Sequence, residues 1–226
     1  MIIMELIALL LIIGLPIIAQ IKVKSAYNKY AKVENSAHLT GASVARQILD
    51  RNGLSNVTVG KISGSLTDHY DPRQKHINLS ENIYEDSSIS SIAVAAHECG
   101  HAIQDKEAYS FLRFRSSMVP VVNFTSRIAS IFLVIGFVSE LMGIVYVGIA
   151  LLCVGLLFQL VTLPVEFDAS NRAKKQLQQC GLIEDKDIKG TNKVLGAAAL
   201  TYVASFLATA IQVLRLILVS RNRRWA

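Results

Sequence analysis

His97, Glu98 and His101 are residues whose types and spacing could do chemistry together. They lie in "AAHECGHAIQ", residues 95–104. Histidines four apart sit one turn apart on the same helix face, so both imidazoles can reach one ion. A glutamate directly after the first flanks them. This H-E-x-x-H arrangement holds zinc between two imidazoles and sets a carboxylate beside it. Zinc so held acidifies a water molecule and polarises a carbonyl. The carboxylate can take the water's proton and return it to a leaving amine. The spacing therefore predicts His97 and His101 as metal ligands and Glu98 as the general base of a hydrolysis.

A catalytic zinc takes a third protein ligand and keeps a further position open. The extended pattern H-E-x-x-H-x-x-G-x-x-H does not continue here. Gln104 stands where glycine is needed, and Glu107 stands at the third-ligand position. Glu107 is one candidate. Glu166, in "PVEFDASNRA", is the stronger one, because a membrane hairpin would return it to the face that carries the histidines. Glu166 and Asp168 also fit ordinary first-turn acids, favoured by the helix dipole after Pro164. An upstream site short of one ligand favours the ligand role.

The elements that must position these residues are unusual in composition. The 226 residues are 52% hydrophobic and only 18% charged, against about 25% charged in soluble domains. Mean hydropathy is +0.41, and the apolar residues come in blocks. The net charge of +6 comes without a Lys/Arg cluster interleaved with aromatics, which argues against a nucleic-acid partner. Cys99, Cys153 and Cys180 are scattered and odd in number, so they form neither a disulfide framework nor a metal knuckle.

The expected organisation follows from those blocks. Residues 2–20 form a retained transmembrane anchor, with no basic residue before the apolar run to suggest a cleaved signal. Residues 22–117 form a catalytic part. Within it lie a helix stopped at Asn52-Gly53, two short strands around the Asp71-Pro72 turn, and the H-E-x-x-H helix capped by Ser87 or Ser88. Residues 118–163 form a transmembrane hairpin interrupted at "SELMG" and ended by Pro164. Residues 164–193 carry the third-ligand helix and a charged loop, and 194–219 form a last transmembrane or re-entrant segment. The fold class expected is a mainly α membrane protein of about four spans with a small zincin-like α+β catalytic part.

Sidedness follows from the basic residues. Lys22, Lys24, Lys29 and Lys32 follow the first span, Lys106, Arg113 and Arg115 precede the second, and Arg172, Lys174 and Lys175 follow the third. The positive-inside rule then puts the catalytic part in the cytoplasm. Arg221, Arg223 and Arg224 disagree if 194–219 crosses once. Arg127 is either functional at membrane depth or snorkels to the interface.

Three blocks, "GSLTDHYDPRQKHINLS", "VAAHECGHAIQ" and "LPVEFDASNRA", come in that order between apolar runs. In this the chain resembles the YugP-type neutral zinc metallopeptidases of bacterial membranes, over nearly its whole length. More distantly it is similar to the HtpX protease and the CAAX prenyl proteases. The resemblance implies a membrane-embedded, gluzincin-like zinc metalloendopeptidase in the bacterial cell membrane. A later E-x-x-A-D helix supplies the third ligand in those relatives. That pattern falls on Glu166, with Ala169 matching and Ser170 where the aspartate would stand. Asp168 and Asn171 are then the candidates to orient a ligand histidine.

Other residues carry two readings each. His69 and Tyr70 are candidate oxyanion donors, or a turn with a half-buried ring. "KHINLS" could pair with an extended substrate by strand addition, or be an ordinary strand. Cys99 is expected to pack, and His38 and His76 to lie at the surface. The partners expected are a protein or peptide substrate, with membrane proteins among the candidates, and the lipid bilayer. A partner membrane protein or a second copy of the chain is a further candidate associate. The alternative function is a catalytically silent zinc-binding membrane scaffold, which would need the ligands but not Glu98.

Overall fold

The apolar blocks become four helices long and apolar enough to cross a membrane: α1 (Ile2–Tyr30), α5 (Ser110–Val138), α6 (Met142–Gln179) and α7 (Asp185–Arg223). A span needs about 20 residues; these helices have 29, 29, 38 and 39. The computed structural model describes residues 2–223, so Arg224 lies outside the described residues. Ile3, Leu10, Ile13, Val134 and Leu160 are exposed. Such an apolar exterior suits lipid, where helices satisfy their own backbone groups.

The chain divides into two compact units. One takes in α1 as far as Ala19, Arg113–Pro164, and the chain from Thr201 onward. Here α5 and α6 are joined by a short turn at Ser139–Leu141. A Cβ at Gly136 would lie 2.7 Å from the Val145 nitrogen, so this glycine permits the close approach of the two legs. α7 is one unbroken helix through 194–219. Its Arg215 Nε donates to Glu5 Oε2 at 2.6 Å. Arg127 is exposed on α5.

The Glu5–Arg215 pair is only partly open to the surface, and a lone charge among apolar helices is costly. Glu5→Gln or Arg215→Gln alone is therefore expected to lower the thermal midpoint in detergent. The double variant is expected to recover most of the loss, because no unpaired charge remains. Equal additivity of the two losses would contradict this.

α6 corrects one expectation. Pro164 does not end the hairpin; the helix runs through it to Gln179. Proline removes one N–H and one helical bond. Among packed membrane helices that cost is tolerated, and apolar side chains on both sides favour continuation.

The other unit comprises Gln20–Leu112 and Val165–Leu200. α2 (Gly41–Arg51) starts at Thr40, whose hydroxyl accepts from Ser43 N, and ends at Asn52. Gly53, at φ +63°, then turns the chain. Three strands follow rather than two: β1 (Thr58–Ile62), β2 (His69–Asp71) and β3 (His76–Ser80). The sheet order is β1-β3-β2, with β1 parallel and β2 antiparallel to β3. "KHINLS" is thus the central strand. Both its edges are taken, so it cannot pair with a substrate; β2 is an edge. A short α3 (Glu81–Glu85) leads to α4 (Ile89–Lys106). Ile48, Leu49, Ile77, Leu79, Ile92, Cys99 and Leu177 share one core between α2, the sheet, α4 and α6. Cys99 is a packing residue there, and the His38 side chain is exposed.

Candidate metal centre

Helix α4 begins where Ser88 caps it, its Oγ accepting from Ser91 N at 3.1 Å. That cap satisfies one of the free N–H groups at a helix start. The helix carries His97, Glu98 and His101 into the unit's interior. Small residues on the same helix let α6 come close. A Cβ at Gly100 would sit 2.5 Å from the Ala169 carbonyl oxygen. Only glycine between the two histidines allows this approach, and the approach delivers Glu166.

His97, His101 and Glu166 each offer a donor atom, and the three atoms lie within 4.8 Å of one another. Glu166 Oε2 is 3.3 Å from His97 Nε2 and 3.6 Å from His101 Nε2. Tetrahedral ligands at about 2.0–2.2 Å from zinc stand roughly 3.3–3.6 Å apart. The two carboxylate–imidazole spacings and the N, N, O donor set therefore suit zinc. Glu107 is elsewhere: it accepts from Arg172 Nη1 at 2.7 Å and its side chain is half exposed.

Both rings turn Nε2 toward Glu166, and both Nδ1 atoms have partners of their own. His97 Nδ1 lies 3.2 Å from Ser170 Oγ. Ser170 thus stands in contact with the ring at the position where the aspartate of the related pattern is absent. His101 Nδ1 lies 3.0 Å from Gln104 Oε1. Gln104 is fully buried, and its Nε2 donates at 2.8 Å to both Val165 O and Asp168 Oδ2. Those two partners can only accept, so the amide nitrogen must face them. The amide oxygen is left to accept from His101, which puts a ring proton on Nδ1 and leaves Nε2 as the ring atom that faces Glu166. Asp168 is held in turn by Arg172 Nε. Asp168 therefore acts on His101 through Gln104, and no hydrogen bond joins it to a ring.

This arrangement makes Gln104→Leu informative. The variant keeps the volume but removes the acceptor that fixes the His101 tautomer. Loss of such a partner typically costs 10- to 100-fold in metal affinity. Competition with a chromophoric chelator is expected to show a drop of about that size.

Glu98 is buried. Burial raises its carboxyl above the usual range; His97 and His101 work against this, and Glu166 and Asp68 reinforce it. Burial also acts to lower the His101 imidazole, but the hydrogen bond and charge of Glu166 prevail and raise it.

His69 and Tyr70 are on β2, not within the donor cluster. His69 Nδ1 bonds the Thr67 carbonyl at 2.8 Å, and its Nε2 accepts from Asn78 at 3.1 Å. Tyr70 donates to Asp105 Oδ2 at 2.7 Å, and burial together with that bond raises its phenol. Lys75 pairs with the same carboxylate. Asp68 precedes the strand and accepts from Ser80 N and Oγ, which fixes β2 against β3.

A family model described as "Putative neutral zinc metallopeptidase" matches residues 5–221. The "Putative membrane protease YugP" of Bacillus subtilis (strain 168) is 47% identical over 212 residues, which covers 94% of each chain. No solved structure matches the chain.

Proposed function

The chain belongs to the neutral zinc metallopeptidase family, and on that footing we propose that it hydrolyses peptide bonds as a membrane-embedded metalloendopeptidase of the gluzincin type. The observation that carries the proposal is the convergence of His97, His101 and Glu166 at the spacing of zinc ligands. Zinc held there supplies a Lewis acid that acidifies water and polarises the scissile carbonyl.

The chain's own residues do the rest. His97, His101 and Glu166 hold the ion. Ser170 and Gln104 orient the two rings, so that their Nε2 lone pairs face inward. Glu98 takes a proton from the attacking water on its carboxylate and returns it to the leaving nitrogen. Burial supports that task, since a carboxylate raised by burial binds a proton more firmly than an exposed one. His69 and Tyr70 are the candidates for the developing oxyanion. For Tyr70 that role means exchanging Asp105 for the substrate.

In sequence, Glu166 follows the apolar run of α6 by two residues past Pro164. The substrates on this reading are membrane proteins, or segments close to the bilayer. The basic residues flanking the spans support a cytoplasmic side for the catalytic part. The test uses purified full chain in proteoliposomes, with one reporter peptide offered free and the same peptide tethered to a membrane helix. Cleavage of the tethered form at least tenfold faster, and abolished by a zinc chelator, is expected. Equal cleavage of both would remove the membrane preference, and cleavage that survives chelation would remove the metal.

A further inference from the structure

A concave feature that shares no residue with the candidate metal centre lies between the polar end of α1 and the first turns of α7. Gly190 marks the crossing: a Cβ there would come within 2.9 Å of the Tyr30 ring. From that contact the helices leave a groove of about 890 Å³, within the roughly 300–1,000 Å³ of small-molecule sites. Its charged rim is Lys22, Lys189 and Lys193 against a single acid, Asp185. None of the three lysines makes an ion pair among the described residues, and all three are exposed. The walls are mainly apolar, with Ala26, Gly196 and Leu200 among them. A Cβ at Gly196 would meet nothing within 4 Å, so the groove is open there.

The chain on both sides says what such a groove meets. The apolar run of α1 ends at Ala19, and Lys22 follows. The last apolar run begins at Val194, and Lys189 and Lys193 precede it. Lysines at that level of a spanning helix lie where phospholipid headgroups are, and their attraction to anionic lipid adds per residue. Long lysine stems can lie along apolar walls while the ammonium reaches the phosphate. We propose that this groove binds one anionic phospholipid, its phosphate between Lys22, Lys189 and Lys193 and an acyl chain along the wall past Gly196. The site is independent of the metal and of the peptidase reading.

Native mass spectrometry of the detergent-solubilised full chain tests it. The probes are dioleoyl phosphatidylglycerol, dioleoyl phosphatidylcholine with the same chains, and inorganic phosphate. The expected result is one phosphatidylglycerol per chain, retained at least tenfold better than phosphatidylcholine. Lys22→Gln/Lys189→Gln/Lys193→Gln is expected to abolish the preference. Lys24→Gln/Lys29→Gln/Lys32→Gln removes the same charge off the groove and is expected to keep it. Gly196→Leu fills the open wall without changing charge and is expected to weaken binding of both lipids. A circular-dichroism melt of each variant separates loss of the site from loss of the fold. Equal retention of the two lipids by the wild type would overturn the proposal. So would a preference that survives the groove variant, or one lost equally in the control. Phosphate binding as tightly as the lipid would also overturn it, since the acyl chain would then contribute nothing.

Discussion

Glu98→Gln is expected to keep its zinc and lose cleavage, with turnover falling by about 10²- to 10⁴-fold. The amide has the shape of the carboxylate but cannot accept a proton from water. Glu98 is not among the three converging donors, so the ion has no reason to leave. Glu98 is buried, and an amide of the same shape needs no solvation of a charge there, so the fold is expected to tolerate it. The experiment pairs zinc content with a cleavage assay on the same preparation. A variant that cuts at the wild-type rate would place the base elsewhere. A wild type that holds zinc but cuts no peptide or membrane protein would favour the silent scaffold.

Glu166→Ala is expected to lose zinc, with an affinity drop larger than the roughly 10- to 100-fold typical of losing an outer partner. Among the described residues the carboxylate is one of three grouped side chains that could hold a metal, and it lies against both imidazoles. The variant also changes how zinc competes with protons. In the wild type Glu166 raises the His101 imidazole, so protons compete better with the ion for that ring. Apparent zinc affinity therefore falls as pH is lowered through the raised His101 value. Without Glu166 the imidazole loses that proton at lower pH, and the dependence shifts to lower pH as well. Glu107→Ala serves as the contrast, because Glu107 is engaged with Arg172. Elemental analysis is expected to find zinc retained in Glu107→Ala and lost in Glu166→Ala; the reverse pattern would transfer the ligand role.

What was legible in the sequence is the part set by spacing along one helix. His97, Glu98 and His101 announce themselves because a helix fixes which residues share a face. The four apolar runs are legible for a similar reason, since the length needed to span is a property of one segment. Gln104 was visible only as a departure from a glycine pattern. Its role needs Val165 and Asp168, which arrive from another helix; the available signal was its i+3 position from His101. Ser170 looked like a missing aspartate, and only the fold brings its hydroxyl to His97. Gly100 gave no signal at all, because its reason is the backbone of Ala169 pressed against it. Pro164 misled in the opposite direction. Proline's local penalty predicts a helix end, and the packed apolar helix continues through it. The order of the strands was likewise hidden, since β1 pairs in parallel with β3 and skips β2, which lies between them in sequence.

The most direct test of the metal centre is zinc X-ray absorption on the purified, zinc-loaded full chain. Two imidazoles and one carboxylate predict a first shell of nitrogen and oxygen alone, at about 2.0–2.2 Å, with the outer-ring scattering of two histidines. In Glu166→Ala the metal should be lost or the oxygen shell altered. A sulfur shell near 2.3 Å would assign the ion to cysteine instead. A wild type that takes up no zinc would contradict the account at its base.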